Sequence, residues 1–205
     1  MEIFYPDGKL FFEGEFINGD RIGYGKEYSP YDDNVLKFEG EYSKGKRNGK
    51  GNLYNYYGTL LFEGEYLNGE KNGKGKEYDL KIKRLLFEGE YLNGKRNGKG
   101  KEYDDEDKLL FEGEYLKGKR KKGKEYYNNG KLKFEGEYLN GENNRKGKEY
   151  YEDGKILFDG EYLVNKRWNV KGYNKKGDEI FIIVNGNRRG KVLFLMVNYS
   201  SKENL

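Results

Sequence analysis

Residues 87–103 read FEGEYLNGKRNGKGKEY, and close copies of this phrase recur along the chain. The core Phe-Glu-Gly-Glu-aromatic opens at Phe12, Phe38, Phe62, Phe87, Phe111 and Phe134, and once more as Phe158-Asp-Gly-Glu-Tyr162. The intervals between openings are 26, 24, 25, 24, 23 and 24 residues. A period held this tightly marks a repeat array.

The fourth copy shows the plan. Phe87–Tyr91 alternates with period two, which predicts a strand. Leu92–Asn97 holds Asn-Gly and basic residues and predicts a turn. Gly98–Tyr103 predicts a second strand, and Asp104–Lys108 turns back toward the next phenylalanine. Two strands and two turns per period predict an all-β, elongated single-layer antiparallel meander. Seven periods give about 14 strands, roughly 70 Å at ~4.8 Å per strand, with partial units at both ends. Residues 1–11 read as a half-repeat or cap, 12–177 as seven repeats, and 178–205 as an apolar hairpin with a short tail. In that hairpin Ile180–Val184 and Val192–Val197 flank Asn185–Gly190. It is expected either to cap the sheet or to join a second copy, since an uncovered apolar edge invites pairing.

Alternation also sorts the faces. Phe87, Gly89 and Tyr91 share one, and Glu88 and Glu90 the other. Gly98 and Gly100 are placed on the aromatic side, where a ring can lie over bare backbone. Lys99 and Lys101 then stand beside Glu88 and Glu90, and such cross-strand pairs are worth about 0.2–1 kcal/mol each. Strict alternation puts Tyr103 on the charged face, and a bulge returns it to the aromatic one; the phrase leaves both open.

Composition narrows the function. Of 205 residues, 34% are apolar, too few for a thick core, yet the chain holds 21 Tyr and 12 Phe, unlike a disordered segment. Alanine and glutamine are absent, which argues against helix. Absence of cysteine and histidine excludes thiol and imidazole chemistry and most zinc sites. No leader and no apolar run of membrane-spanning length is visible, so an intracellular, soluble, cytoplasmic chain is expected, associated with cytoskeleton or membrane. Forty basic against 36 acidic residues is far from a nucleic-acid-binding balance.

The pattern F-x-G-x-Y-x-x-G-x-x-x-G-x-G resembles the MORN (membrane occupation and recognition nexus) repeat. It is carried by Phe62, Gly64, Tyr66, Gly69, Gly73 and Gly75 in the third copy, and by Phe87, Gly89, Tyr91, Gly94, Gly98 and Gly100 in the fourth. The likeness covers about residues 12–177. Later copies drift: Lys121, Arg145 and Val170 replace the second turn glycine, and Asn165 the first in the seventh. The resemblance implies an elongated single-layer meander with a shallow groove. It also implies protein docking, dimerisation or binding of anionic phospholipids, as in junctophilins, plant phosphatidylinositol phosphate kinases and protist cytoskeletal scaffolds. A bacterial repeat family found among antitoxin or immunity proteins has similar Asn-Gly-Lys phrasing.

Candidate sites follow. A one-layer sheet cannot bury both faces, so Phe62, Tyr66, Phe87, Tyr91, Phe111, Tyr115, Phe134 and Tyr138 are expected to form a partly exposed stripe. A partner helix laid along it is the simplest occupant. The runner-up is the basic run Lys117, Lys119, Arg120, Lys121, Lys122 and Lys124, with equivalent turns at Lys44–Lys50 and Lys95–Lys101, facing phosphoinositide headgroups. The repeated carboxylate pairs read as a charge ladder rather than a hydrolase site. Gly94–Lys101 lacks the ending of a phosphate-binding loop, and Asp104–Asp107 lacks the ligand order of a calcium loop. The expectation is a non-enzymatic scaffold without metal or cofactor, with self-association through the C-terminal hairpin and no role for nucleic acid.

Overall fold

The computed structural model describes residues 1–31, 35–81 and 83–190. They form one antiparallel sheet of 17 strands, each paired with the next in sequence. A short β1 (Glu2–Phe4) precedes the repeats. The first three copies supply β2 (Leu10–Ile17), β3 (Asp20–Tyr28), β4 (Leu36–Ser43), β5 (Lys46–Tyr54), β6 (Leu60–Leu67) and β7 (Glu70–Tyr78). The next two supply β8 (Leu85–Leu92), β9 (Lys95–Tyr103), β10 (Leu109–Leu116) and β11 (Lys119–Tyr126). The last two supply β12 (Leu132–Leu139), β13 (Glu142–Tyr150), β14 (Ile156–Leu163) and β15 (Lys166–Tyr173). A final hairpin, β16 (Glu179–Val184) and β17 (Asn187–Gly190), ends the sheet. Seven periods thus give 14 strands, with partial units at both ends as expected.

The tight turn is shorter than the sequence reading placed it. Strand β9 begins at Lys95, so Asn93 and Gly94 alone make the connection, with φ of 49° and 75°. Positive φ at both positions is the type I′ turn, whose twist matches that of the flanking strands. The turns at Gly45, Gly69, Gly94 and Gly118 also tie to the preceding repeat: Gly94 N donates to the Lys71 carbonyl at 2.9 Å, and Gly118 N to that of Arg96 at 2.8 Å. The C-terminal hairpin follows the same rule, turning at Asn185-Gly186 rather than across 185–190. Its expected second arm, 192–197, lies outside the described residues. At the opposite edge a side chain closes the longer turns. Asp104 Oδ1 accepts from Glu106 N and Lys108 N, both at 2.9 Å. This local hydrogen bonding is what Asp and Asn do best in turns.

An early strand start would misalign the glycines, and a bulge restores them. Gly89 pairs with Gly100 and Tyr91 with Arg96, so Glu90 alone faces Asn97, Gly98 and Lys99. Gly98 has φ of 91°, and a Cβ there would collide with the Glu90 carboxylate. That carboxylate accepts from Lys99 N at 3.2 Å. In the second and fourth phrases the second glutamate thus clamps the bulge, and the bulge glycine leaves room for it.

The aromatic face is where the structure departs most from expectation. Phe12, Phe38, Phe62, Phe87 and Phe111 are fully buried, Phe134 is 1% exposed, and Tyr66, Tyr91, Tyr115 and Tyr138 are 3–7% exposed. The expected partly exposed stripe is corrected: these rings cover one another. Phe87 meets Tyr91 of its own strand at 5.6 Å and Tyr115 of the next repeat at 5.1 Å, both edge to face. The same alternation runs unbroken from Phe12–Tyr42 to Phe134–Tyr162. Such pairs add about 0.5–1.5 kcal/mol beyond burial. Beneath each ring lies glycine: a Cβ at Gly100 would enter the Phe87 ring. A single layer thus makes a core by stacking rings on bare backbone.

Candidate functional site

The lid over this core is ionic. Because β9 starts early, Arg96 stands opposite Tyr91 on the aromatic face, its guanidinium 4.1 Å from the Phe87 centroid. Arg47, Lys71, Arg120 and Arg167 cover Phe38, Phe62, Phe111 and Phe158 at 3.7–4.3 Å. The glutamate of each Lys-Glu-Tyr ending points to the same side. Arg96 pairs with Glu77 at 2.5 Å and Glu102 at 3.1 Å, and Arg120 joins Glu102 to Glu125. Lys71, Glu77, Arg96, Glu102, Arg120 and Glu125 form one alternating chain over three hairpins. Burial alone pushes the Glu77 carboxyl up, but the Arg96 and Lys71 cations outweigh it and the net shift is downward. Glu27 follows the same logic, with Arg47, Tyr42 and Arg21 overcoming burial. Leu53 and Asn143 stand where the series calls for Glu and Arg, and the chain breaks there. The buried hydroxyls of Tyr66, Tyr91, Tyr115 and Tyr162 have no hydrogen-bond partner of good geometry.

The opposite face carries the Glu/Lys ladder, and it settles the position of Tyr103. The Tyr103 hydroxyl donates to Glu88 at 2.7 Å, so strict alternation holds. Tyr28, Tyr54, Tyr78, Tyr126 and Tyr150 do the same to Glu13, Glu39, Glu63, Glu112 and Glu135 at 2.5–2.7 Å. Burial, followed by the Glu88 hydrogen bond, pushes the Tyr103 phenol up to about 12. Glu88 stands opposite Lys101, and Glu112 is flanked by Lys101 and Lys124.

This face is hollowed. An open trough of about 990 Å³ crosses β5 to β11, floored by Gly64, Gly75, Gly89, Gly100, Gly113 and Gly123 and walled by the ladder. Those glycines turn their missing side chains toward the rings, so bare backbone faces the trough. Level with the trough, at the tight-turn ends of β6, β8 and β10, stand the half-exposed Leu67, Leu92 and Leu116; Leu139 and Leu163 continue the row beyond it, and Ser43 separates it from Ile17. Each ends the first strand of a hairpin and shares a face with the second glutamate of its phrase.

The candidate residues divide accordingly. The eight aromatics expected to meet a partner form the interior. The six basic residues separate. Lys117 and Lys119 lie at the tight-turn edge, aligned with Lys44, Lys46 and Lys95. Arg120 is folded onto Phe111, and Lys121 pairs with Glu114 at 3.2 Å. Lys122 and Lys124 line the trough. The trough and the leucine row escaped the sequence reading; the Leu that follows Tyr66, Tyr91, Tyr115 and Tyr138 was the row's signal. Among the described residues no cluster of acidic side chains is arranged to hold a metal ion.

A search of curated proteins found no match to the chain. The MORN repeat family model matches at residues 12–30, 38–54, 62–79, 87–107 and 134–156. The copies opening at Phe111 and Phe158, outside those matches, build hairpins of the same register. With the motif glycines lying under the rings, making room in the bulges and closing the turns, the chain belongs to the MORN repeat proteins.

Proposed function

We propose that the chain is a non-enzymatic scaffold that docks a protein partner in the trough of its Glu/Lys face. The trough itself carries this reading: it is long, open, and lined by bare backbone and long aliphatic stems ending in charge. Surfaces of that make-up suit an elongated protein segment. Its carboxylates are engaged by tyrosine, lysine and bulge amides, which gives them structural work. The aromatic face no longer serves, since docking there would require taking apart the core.

The test is affinity capture with Lys99→Trp, which places a bulky ring in the middle of the trough. Lys131→Trp, exposed at the opposite edge of the sheet and outside the trough, is the control. Partners held by wild type and by Lys131→Trp should be lost from Lys99→Trp at unchanged melting temperature. Retention of the same partners by Lys99→Trp refutes trough docking.

A second reading rests on one observation, the exposed Lys44, Lys46, Lys95, Lys117 and Lys119 along a single edge. Each could contribute about 1 kcal/mol at an anionic membrane. Co-sedimentation with phosphoinositide-containing vesicles at near-physiological salt tests it, and absence of binding removes it.

A further inference from the structure

Resting on the trough-docking reading, we infer that the occupant is an amphipathic α-helix of about 19 residues whose aliphatic residues recur every seventh position and seat on Leu67, Leu92 and Leu116.

The pitch carries the inference. One leucine per hairpin means one every two strands, about 9.6 Å. Seven residues of α-helix rise about 10.5 Å. Two steps along the row accumulate a mismatch of roughly 2 Å, within reach of leucine rotamers. From β5 to β11 there are six strand spacings, about 29 Å, which sets the helix length.

Charge agrees on both sides of the row. On the trough side Glu and Lys alternate from strand to strand, about 4.8 Å apart. Flank positions of a seven-residue repeat recur by three and four residues in turn, about 5.3 Å apart on average, so an alternating Glu/Lys flank drifts from the ladder no faster than the leucine positions drift from their row. On the outer side the exposed lysines of the turns favour an acidic flank. The same row argues for a helix over a bilayer. The turn tips are Asn68-Gly69, Asn93-Gly94 and Lys117-Gly118, all polar, and the leucines sit one residue behind them on the trough face. A membrane-inserting edge would carry its apolar side chains at the tips. Leu67 also borders a depression with Asn48, Gly49 and Asn72 that shares Lys50 and Glu65 with the trough, so row and trough are one surface.

The experiment uses two fluorescent 24-residue peptides of equal composition in an Ala/Glu/Lys background. One has three leucines spaced by seven, the other three spaced by eleven. Both spacings keep the leucines on one helix face, and only the pitch differs. Anisotropy with the full chain should show the seven-spaced peptide binding at least tenfold more tightly. Leu67→Ser/Leu92→Ser/Leu116→Ser should lose at least tenfold of that affinity, with its melting temperature held. Equal binding of the two peptides, no binding, or indifference to the leucine substitutions overturns the inference. So does leucine-dependent binding to phosphatidylcholine/phosphatidylserine vesicles without peptide binding, which assigns the edge to a membrane. If the Lys99→Trp capture succeeds while the peptides fail, only the helix falls and trough docking stands.

Discussion

Gly100→Ala should destabilise the protein, and Phe87→Leu should reverse the sign of its effect. The atoms nearest to a Cβ at Gly100 belong to side chains: the Phe87 ring, and Tyr115 Cε2 at 3.2 Å. Phe87 is fully buried between two tyrosines and under Arg96, so its ring has nowhere to retreat. Overpacking costs about 1–3 kcal/mol, and loosening two edge-to-face contacts adds to it, giving about 2–4 kcal/mol in all. Phe87→Leu removes the Cε and Cζ atoms that the methyl would strike. In that background Gly100→Ala should gain about 0.5–1 kcal/mol, because alanine loses less freedom than glycine in a strand. Gly89→Ala is the control. Its Cβ meets the Lys99 carbonyl at 2.6 Å and Gly100 Cα at 2.7 Å, which are backbone atoms that Phe87→Leu leaves in place. It should stay destabilising in both backgrounds. Urea titration gives the midpoints, and amide exchange across β8 and β9 localises the loss should the array melt in parts. If Gly100→Ala is equally damaging with and without the Phe87 ring, ring-over-glycine stacking is not what requires the glycine.

Three further outcomes follow from the lid and the turns. Arg96→Ala should cost about 2–3 kcal/mol by baring the Phe87 ring and leaving Glu77 with Lys71 alone and Glu102 with Arg120 alone, whereas exposed Lys95→Ala should stay within about 0.5 kcal/mol by urea midpoint. The depressed carboxyls of Glu27 and Glu77 contribute stability that is full above the unfolded value of about 4.3 and is lost as pH falls through their lower folded values; Glu77→Gln should flatten this acid limb of a stability–pH profile. Val164 holds φ of 50°, which a β-branched residue tolerates poorly, so Val164→Asn should raise stability by about 1 kcal/mol, read as an increased melting temperature.

The period and the alternation within it made the strands, their number and their faces legible. The Phe-x-Gly spacing likewise announced rings over backbone. What stayed hidden turns on two residues of register. Reading Leu92–Asn97 as a loop left Arg96 in solvent, whereas a two-residue Asn-Gly turn places it across from Tyr91 and over Phe87. Glu102 was missed for a related reason: alternation puts it beside Phe87 and Phe111, but a glutamate on an aromatic face makes sense only once Arg96 and Arg120 stand there too. Without that lid, exposed aromatics were the natural expectation. The trough needs sheet curvature, which no pairing rule in the phrase specifies.

The breaks in the ionic lid divide the array into mechanical segments. Glu27 joins Arg21 and Arg47, the long chain runs from Lys71 to Glu125, and Glu149 with Arg167 stands apart. Aromatic contacts cross both gaps, and Tyr138 donates to Glu125 across the second, but there neighbouring hairpins lack the ion pair that joins them elsewhere. A pulled or heated array should therefore part first beside Leu53 and Asn143. Its central three hairpins would then release together as one block rather than hairpin by hairpin.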